Sequence, residues 1–191
     1  QNLILAAALG GLGFDYELLS GQMASRDGHF GPPFDHLTLK VSLDKDYLVD
    51  IGNGETFTTP LSFEGTWTPQ ARGGAYRIVT DGKQSYRVEK RAKNSQVQTV
   101  YLFNGKPQKI EAFEPMWKFH SESPDSHFAR GWIATLPRAN GGRLTVAKGI
   151  EMETTPQGME KRAIGSAQNL ERILKEKFKM KDISIPTQWF K

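Results

Sequence analysis

Two residues in this chain have the types and spacing of a base and its orienter. His36 and Asp50 lie in PPFDHLTLKVSLDKDYLVDIGNG (residues 32–54), which reads as two strands joined by a tight charged turn. Along His36–Leu43, Leu37, Leu39, Val41 and Leu43 alternate onto one face. Tyr47–Ile51 adds Val49 and Ile51 to it, leaving His36, Thr38, Asp50 and Gly52 on the other. A turn centred on Asp44 puts Asp50 opposite Thr38 and diagonal to His36, where Cβ atoms about 7–8 Å apart can be bridged by an imidazole and a carboxylate. A turn centred one residue later flips the faces of one strand and breaks the pair. Asp35 points away from His36. An imidazole held by a carboxylate is two-thirds of a nucleophile triad, and it is equally the arrangement of a buried histidine whose polar edge has been satisfied. The missing third member is a cysteine or serine, and the chain contains no cysteine.

Other groups carry weaker signals. Gly52-Asn53-Gly54 could cradle a phosphate or serve as a plain turn. The β-branched stretch that follows is not the helix of a dinucleotide loop, although two glycines let a backbone approach a ligand closely. His120 and His127 flank SESPDS without a third ligand at metal-site spacing, so they read as solvated loop histidines and no metal is expected. Arg72-Gly73-Gly74 reads as a turn leading into a strand. Trp67, Trp117, Trp132 and Trp189 read as core or interface aromatics.

The elements that must position these groups fit one large domain or two small ones in 191 residues. Hydrophobic content of 38% and charged content of 24% describe a globular protein, and no run approaches the ~18 apolar residues of a membrane span. The net charge of +4 is spread in mixed sign, which argues for a solvated surface over a nucleic-acid patch and still suits an anionic cofactor. Without cysteine there are no disulfides or thiolate metal sites, which fits the cytoplasm. The first residue is Gln1, which suggests a start inside a longer protein or processing. Leu3–Phe14 resembles a signal-peptide core but lacks a basic flank. It reads instead as the last turns of a buried helix, Asn2 to Leu9, stopped by Gly10 and Gly11.

After it come an extended run at Phe14–Met23, a loop at Ala24–Pro33, and further strands at Ala75–Thr80, Ser85–Lys90 and Gln96–Asn104, with turns at Asp81-Gly82 and Asn104-Gly105. Short antiparallel strands of this kind suggest a barrel or a strongly curled sheet. A connecting helix is expected at Lys109–Lys118 and a polar loop at Ser121–Phe128. Trp132–Pro137 and Gly142–Ala147 form a hairpin over Ala139–Gly141, with a third strand at Ile150–Thr154. A closing helix carries the stripe Leu170, Ile173, Leu174 and Phe178 and is capped by Ser166 or Asn169.

Taken together, these segments resemble the arylamine N-acetyltransferases over nearly the whole chain. Asn2 to Phe14 resembles the tail of that family's nucleophile motif, R-G-G-x-C-x-E-x-N, running into L-x-x-L-G-F. HLTLKV is similar to its histidine strand, YLVDIGNG to its D-V-G-F-G segment, and Pro60-Leu61 to the P-L that follows. FHSESPDSHF resembles its S/T-rich loop and NLERILKEKF its closing helix. The resemblance implies an α+β fold: the remnant of an N-terminal helical domain (1–20), an antiparallel β-barrel-like domain (21–110), a connecting segment (111–130) and a C-terminal α/β lid of three or four strands and one helix (131–191). It also implies a cysteine-proteinase- or transglutaminase-like core in the complete protein. The catalytic cysteine belongs three residues before Gln1, so the helical domain and the nucleophile are missing and the fragment alone is inactive. The implied activity is ping-pong transfer from acetyl-CoA to an arylamine, arylhydrazine or N-hydroxyarylamine, with no metal, nucleic acid or membrane. His36 is then the base and Asp50 its orienter. Gly52, Gly54, Ser121, Ser123 and Ser126 are placed near CoA, and Phe119 near the acceptor. Asn53 stands where the family has an aromatic and Trp117 where it often has Asn, which suggests a more polar acceptor or a polyketide-type amide synthesis. The alternatives are a non-catalytic CoA- or small-molecule-binding relative and a β-rich interaction domain with a structural His-Asp pair.

Overall fold

The computed structural model describes residues 1–25, 27–54, 57–70, 74–92, 95–126, 128–129, 131–138, 142–155 and 157–185. They form two compact units, 1–117 and 118–191. The first opens with helix α1, Asn2–Gly11, whose sequence NLILAAALGG carries no charge. Gly10 and Gly11, expected to stop it, lie inside it. The stop is Gly13, whose φ of +83° is readily adopted only by glycine. There the Phe14 N–H donates to the Leu9 carbonyl and the Gly13 N–H to the Gly10 carbonyl, each at 3.0 Å, a Schellman closure.

Eight antiparallel strands follow: β1 Asp15–Met23, β2 His36–Ser42, β3 Asp46–Val49, β4 Leu61–Ser62, β5 Thr68–Pro69, β6 Ala75–Thr80, β7 Ser85–Arg91 and β8 Val97–Asn104. They hydrogen-bond in the order β4-β3-β2-β1-β8-β7-β6-β5. The run expected only as an extended stretch is β1, at the middle of this sheet, paired with both β2 and β8. The sheet curls until β4 touches β6, although they are not hydrogen-bonded neighbours. Inside the curl lie Leu19, Leu48, Phe57, Leu61, Tyr76, Ile78, Val88, Tyr101 and Phe103.

Register in the β2–β3 hairpin is the one that favours the His-Asp pair. Leu39 faces Val49, Val41 faces Tyr47 and Ser42 faces Asp46, so the turn is centred on Asp44. Which face is the core differs from the alternation pattern. Leu48 and Thr38, on the face shared with His36 and Asp50, are fully buried, whereas Leu43 and Ile51 on the apolar-looking face are more than half exposed. A curled sheet packs its concave side into a core whatever the other side carries, and Leu39 and Val41 are buried on that other side too. Helix α1 packs on β1 and β2.

A 3-10 turn, Ile110–Phe113, leads into α2, Glu114–Glu122, so the helix expected at 109–118 lies further along the chain and takes in Ser121. Pro115 falls in its first turn, where a missing N–H costs nothing. In the second unit β9 Ile133–Pro137, β10 Arg143–Ala147, β11 Ile150–Thr155 and β12 Gly158–Ala163 form an antiparallel meander. Helix α3, Ala167–Phe178, is capped by Ser166, whose hydroxyl accepts the Asn169 N–H at 3.1 Å. It packs Leu170, Ile173 and Leu174 against Val146, Ile164 and Ile185, with Trp132 and Phe178 at the margin. Lys177 ties the helix to the sheet through Glu151 at 2.6 Å. The guanidinium groups of Arg77 and Arg91 both lie over the Trp67 ring, 4.4 and 4.5 Å from it. His127, Trp189, Arg72-Gly73 and the Ala139–Gly141 turn lie outside the described residues. Among the described residues no helix is long and apolar enough to cross a membrane.

Candidate active site

The first residue of β2 and the residue just past β3 bring an imidazole and a carboxylate together. His36 Nε2 stands 2.6 Å from Asp50 Oδ2, and Asp50 is 2% exposed. The other carboxylate oxygen, Oδ1, accepts the Asn2 side-chain amide and the Gly52 backbone N–H, each at 2.8 Å. Burial pushes the Asp50 carboxyl up, and the His36 hydrogen bond and charge, then Asn2 and Gly52, more than offset it, so the group ionises below the ordinary carboxylate range. The carboxylate thus remains charged in a nearly dry setting and steadies a proton on the ring that faces it.

Asn2 is the residue that inspection of the hairpin alone misses. Its side chain also donates to the Leu37 carbonyl and accepts the Ile51 N–H at 2.8 Å, so the first residue of α1 clamps the last turn of the hairpin. Forty-eight positions separate it from Asp50, and no local periodicity marks such a pairing; the one sequence signal was its place in the nucleophile-like motif. The clamp also explains Gly52. A Cβ there would lie 2.7 Å from Asn2 Nδ2 and 3.3 Å from His36 Cε1, so a side chain could enter only by displacing Asn2 from the pair. Gly54 and the half-buried Asn53 continue the same turn.

The floor of the site is Tyr101 on β8. Its ring centroid is 4.9 Å from that of His36, and its hydroxyl is 3.3 Å from Thr38 Oγ1. With Nε2 taken by Asp50, the ring nitrogen left for an incoming group is Nδ1, which has no partner among the described residues. This arrangement can take a proton at Nδ1 and stabilise the resulting imidazolium through Asp50. No cluster of three or more His, Cys, Asp or Glu side chains suited to a metal occurs among the described residues.

The remaining candidates lie in the second unit. Phe119 is partly exposed on α2 and meets the His120 ring edge-on at 5.4 Å. His120 belongs to α2 and not to a solvated loop, and its ring is flanked by Phe119 and Phe128. The Ser121 hydroxyl donates to the Lys118 carbonyl, and that of Ser123 accepts the Asp125 N–H. Ser126 is buried: its hydroxyl donates to the His120 carbonyl at 3.3 Å, accepts the Phe128 N–H at 3.2 Å and lies 3.2 Å from His120 Nδ1. That hydroxyl is spent on closing the turn after α2.

The N-acetyltransferase family profile matches residues 1–184. The arylamine N-acetyltransferase of Mycolicibacterium smegmatis is 32% identical over 139 residues, 69% of this chain and 49% of that protein. The chain therefore spans about half the length of that relative. Among solved structures, the Mycobacterium tuberculosis arylamine N-acetyltransferase matches 99% of this chain and 73% of its own, with a TM-score of 0.84 at 22% identity. The Mycobacterium marinum enzyme in complex with CoA matches 92% of this chain and 66% of its own, with a TM-score of 0.78 at 23% identity. The chain belongs to the arylamine N-acetyltransferase family.

Proposed function

We propose that this chain carries the base and orienter of an acetyl-CoA-dependent arylamine N-acetyltransferase whose cysteine nucleophile is supplied by polypeptide preceding α1, so that the 191 residues alone do not turn over. The observation that carries the reading is the commitment of His36 Nε2 to Asp50, with Asn2 fixed on the same carboxylate at the start of α1. Residues four apart share a helix face. If α1 continues backwards, the residue four before Asn2 sits about 6 Å along the axis on the face that meets Asp50. A cysteine there fits the R-G-G-x-C-x-E-x-N pattern.

In the first half-reaction His36 Nδ1 takes the thiol proton. The thiolate attacks the acetyl carbon of acetyl-CoA, a new C–S bond forms, and the CoA thiolate leaves with the proton from His36. In the second half the acceptor nitrogen, or the hydroxyl oxygen of an N-hydroxyarylamine, attacks the thioester, Nδ1 takes its proton, and the cysteine thiolate is released. An imidazolium beside a thiol lowers its pKa, so thiolate is available at neutral pH, and a reducing cytoplasm keeps it from oxidising. Acceptors are arylamines, arylhydrazines or N-hydroxyarylamines. Gly52, Gly54, Ser121 and Ser123 are assigned to the CoA side and Phe119 to the acceptor side. Ser126 supports the CoA side through the turn it closes. The CoA-bound relative supports the donor assignment. α1 is read as the end of a helical domain, and the complete protein as having a cysteine-proteinase-like core. Asn53, polar where an aromatic wall would suit anilines, favours more polar acceptors. Asn53→Phe is expected to shift relative rates toward simple anilines across an acceptor panel, and unchanged rates would remove that assignment.

The reading is tested with the protein extended to include the preceding segment. Acetyl transfer should show parallel-line ping-pong kinetics, and His36→Ala should lower kcat/KM by about a thousandfold or more. Turnover by the 191-residue chain alone, or full activity of His36→Ala, would overturn it. The second reading is a CoA- or small-molecule-binding relative without turnover. In that case the extended protein binds CoA and transfers nothing.

A further inference from the structure

The chain enters β2 through a turn whose residues do not suit its shape. The Asp35 N–H donates to the Pro32 carbonyl at 3.2 Å, so Pro32, Pro33, Phe34 and Asp35 form a β-turn just before His36. Pro33 takes the second position, where the fixed φ of proline fits, and Phe34 at the third has a φ of +68°. Proline followed by a positive φ makes a type II turn, whose third position ordinarily belongs to glycine or asparagine. An aromatic residue there is strained and persists only where its surroundings hold it. Two contacts do so. The Phe34 N–H donates at 3.0 Å to the hydroxyl of Ser20, buried on β1, and the Phe34 ring meets that of buried Phe113 edge-on at 5.1 Å. His36 depends on this corner. The β1–β2 ladder has its last rung at Gly21 and His36, and the β2–β3 ladder stops three residues short, at Leu39 and Val49. Gly21 has no side chain to brace the imidazole, and only Asp35 separates His36 from the turn.

We infer that Ser20 is a positioning residue for His36: by accepting the Phe34 N–H, it holds the left-handed corner that fixes the backbone from which the imidazole reaches Asp50. This rests on the reading of His36 and Asp50 as base and orienter. Asn2 and Gly52 fix the carboxylate, so the imidazole has to be brought to it, and Nε2 arrives 2.6 Å from Oδ2. If Phe34 relaxes to a negative φ, the peptide leading into His36 is re-aimed and the ring is drawn off the carboxylate. Among the described residues Ser20 makes no hydrogen bond to either member of the pair, so it acts through the backbone of Phe34.

The test reads the His36 Nε2 proton resonance of the 191-residue chain by NMR, which lies further downfield the stronger the bond to Asp50. Ser20→Ala is expected to move it upfield, because the corner loses its acceptor and relaxes. Phe34→Gly leaves it in place, since glycine after Pro33 takes the left-handed position unaided. Ser20→Ala in the Phe34→Gly background then has no further effect, because the hydroxyl no longer has strain to oppose. An unmoved resonance in Ser20→Ala would overturn the inference. So would an upfield move in Phe34→Gly alone, which would give the control to the Phe34–Phe113 contact. A double variant displaced as far as Ser20→Ala would overturn it too, because a lost hydrogen bond without a role in the turn produces that. If Ser20→Ala does not fold, the double variant still decides: it is expected to fold with the wild-type resonance, and failure to do so counts against Ser20. No thiol or turnover enters these measurements. Failure of the acetyl-transfer reading shows instead as activity indifferent to His36.

Discussion

In each unit a buried carboxylate meets a basic partner at 2.6 Å, Asp50 in the first and Glu151 in the second, and the two are built differently. Glu151 in the second unit is 6% exposed and meets Lys177, whose side chain is about one-third exposed. The pair fastens α3 to β11, and if it is broken the ammonium can turn to water. Asp50 in the first unit meets donors from three separated segments: α1, β2 and the turn after β3. None of those donors has an easy alternative. One partner on a flexible stem makes a fastening, whereas three fixed donors on a buried carboxylate make a charge held ready in a place that excludes water.

The difference can be broken by substitution. Asp50→Ala strands an imidazole, an amide and a backbone N–H in the core, so a loss of about 3–5 kcal/mol in urea unfolding is expected. Glu151→Ala should cost about 1 kcal/mol, in the range of partly exposed pairs. Equal losses would show that the two carboxylates do the same job.

The pH dependence of stability separates them further. Asp50 ionises at a lower pH in the folded chain than in the unfolded one, where a carboxyl titrates near about 4. Its contribution is therefore complete above about pH 4 and is lost as the pH falls from there through the depressed folded value. Glu89, whose burial is outweighed by Arg87 and Arg77, follows the same sign. Asp50→Asn should flatten the acid limb of a stability–pH curve and leave the share of Glu89; an unchanged limb would mean that the network does not hold the ionised form. A smaller effect is expected for Gly52→Ala, about 1–3 kcal/mol from the close approach of a new methyl group to Asn2. Its φ is not in the left-handed region, so a neutral result would show that the clamp can yield.

How far the sequence was legible follows the range of the interactions. The β2–β3 hairpin was readable because a tight charged turn and period-2 alternation are local, but they left two registers open, and only the folded sheet selects the one that pairs Leu39 with Val49. The core face was not readable from the same alternation, because curling buries Thr38 and Leu48 along with the apolar stripe on the other side. The end of α1 was misplaced by two glycines. Inside a helix glycine only weakens, whereas Gly13 at positive φ terminates. The role of Asn2 depends on a contact across forty-eight positions that only the folded sheet creates. Ser126 reads as an exposed loop serine until the turn after α2 closes over it.

The central claim is that the His36–Asp50 pair is poised to ionise a thiol presented at the start of α1. The most direct measurement is the pH profile of alkylation by iodoacetamide of a cysteine placed four residues before Asn2 in an N-terminally extended chain. The account predicts thiolate reactivity persisting well below the ~8.5 midpoint of a free cysteine, with the ordinary profile returning in Asp50→Asn. An ordinary thiol profile in the otherwise unmodified chain would contradict it.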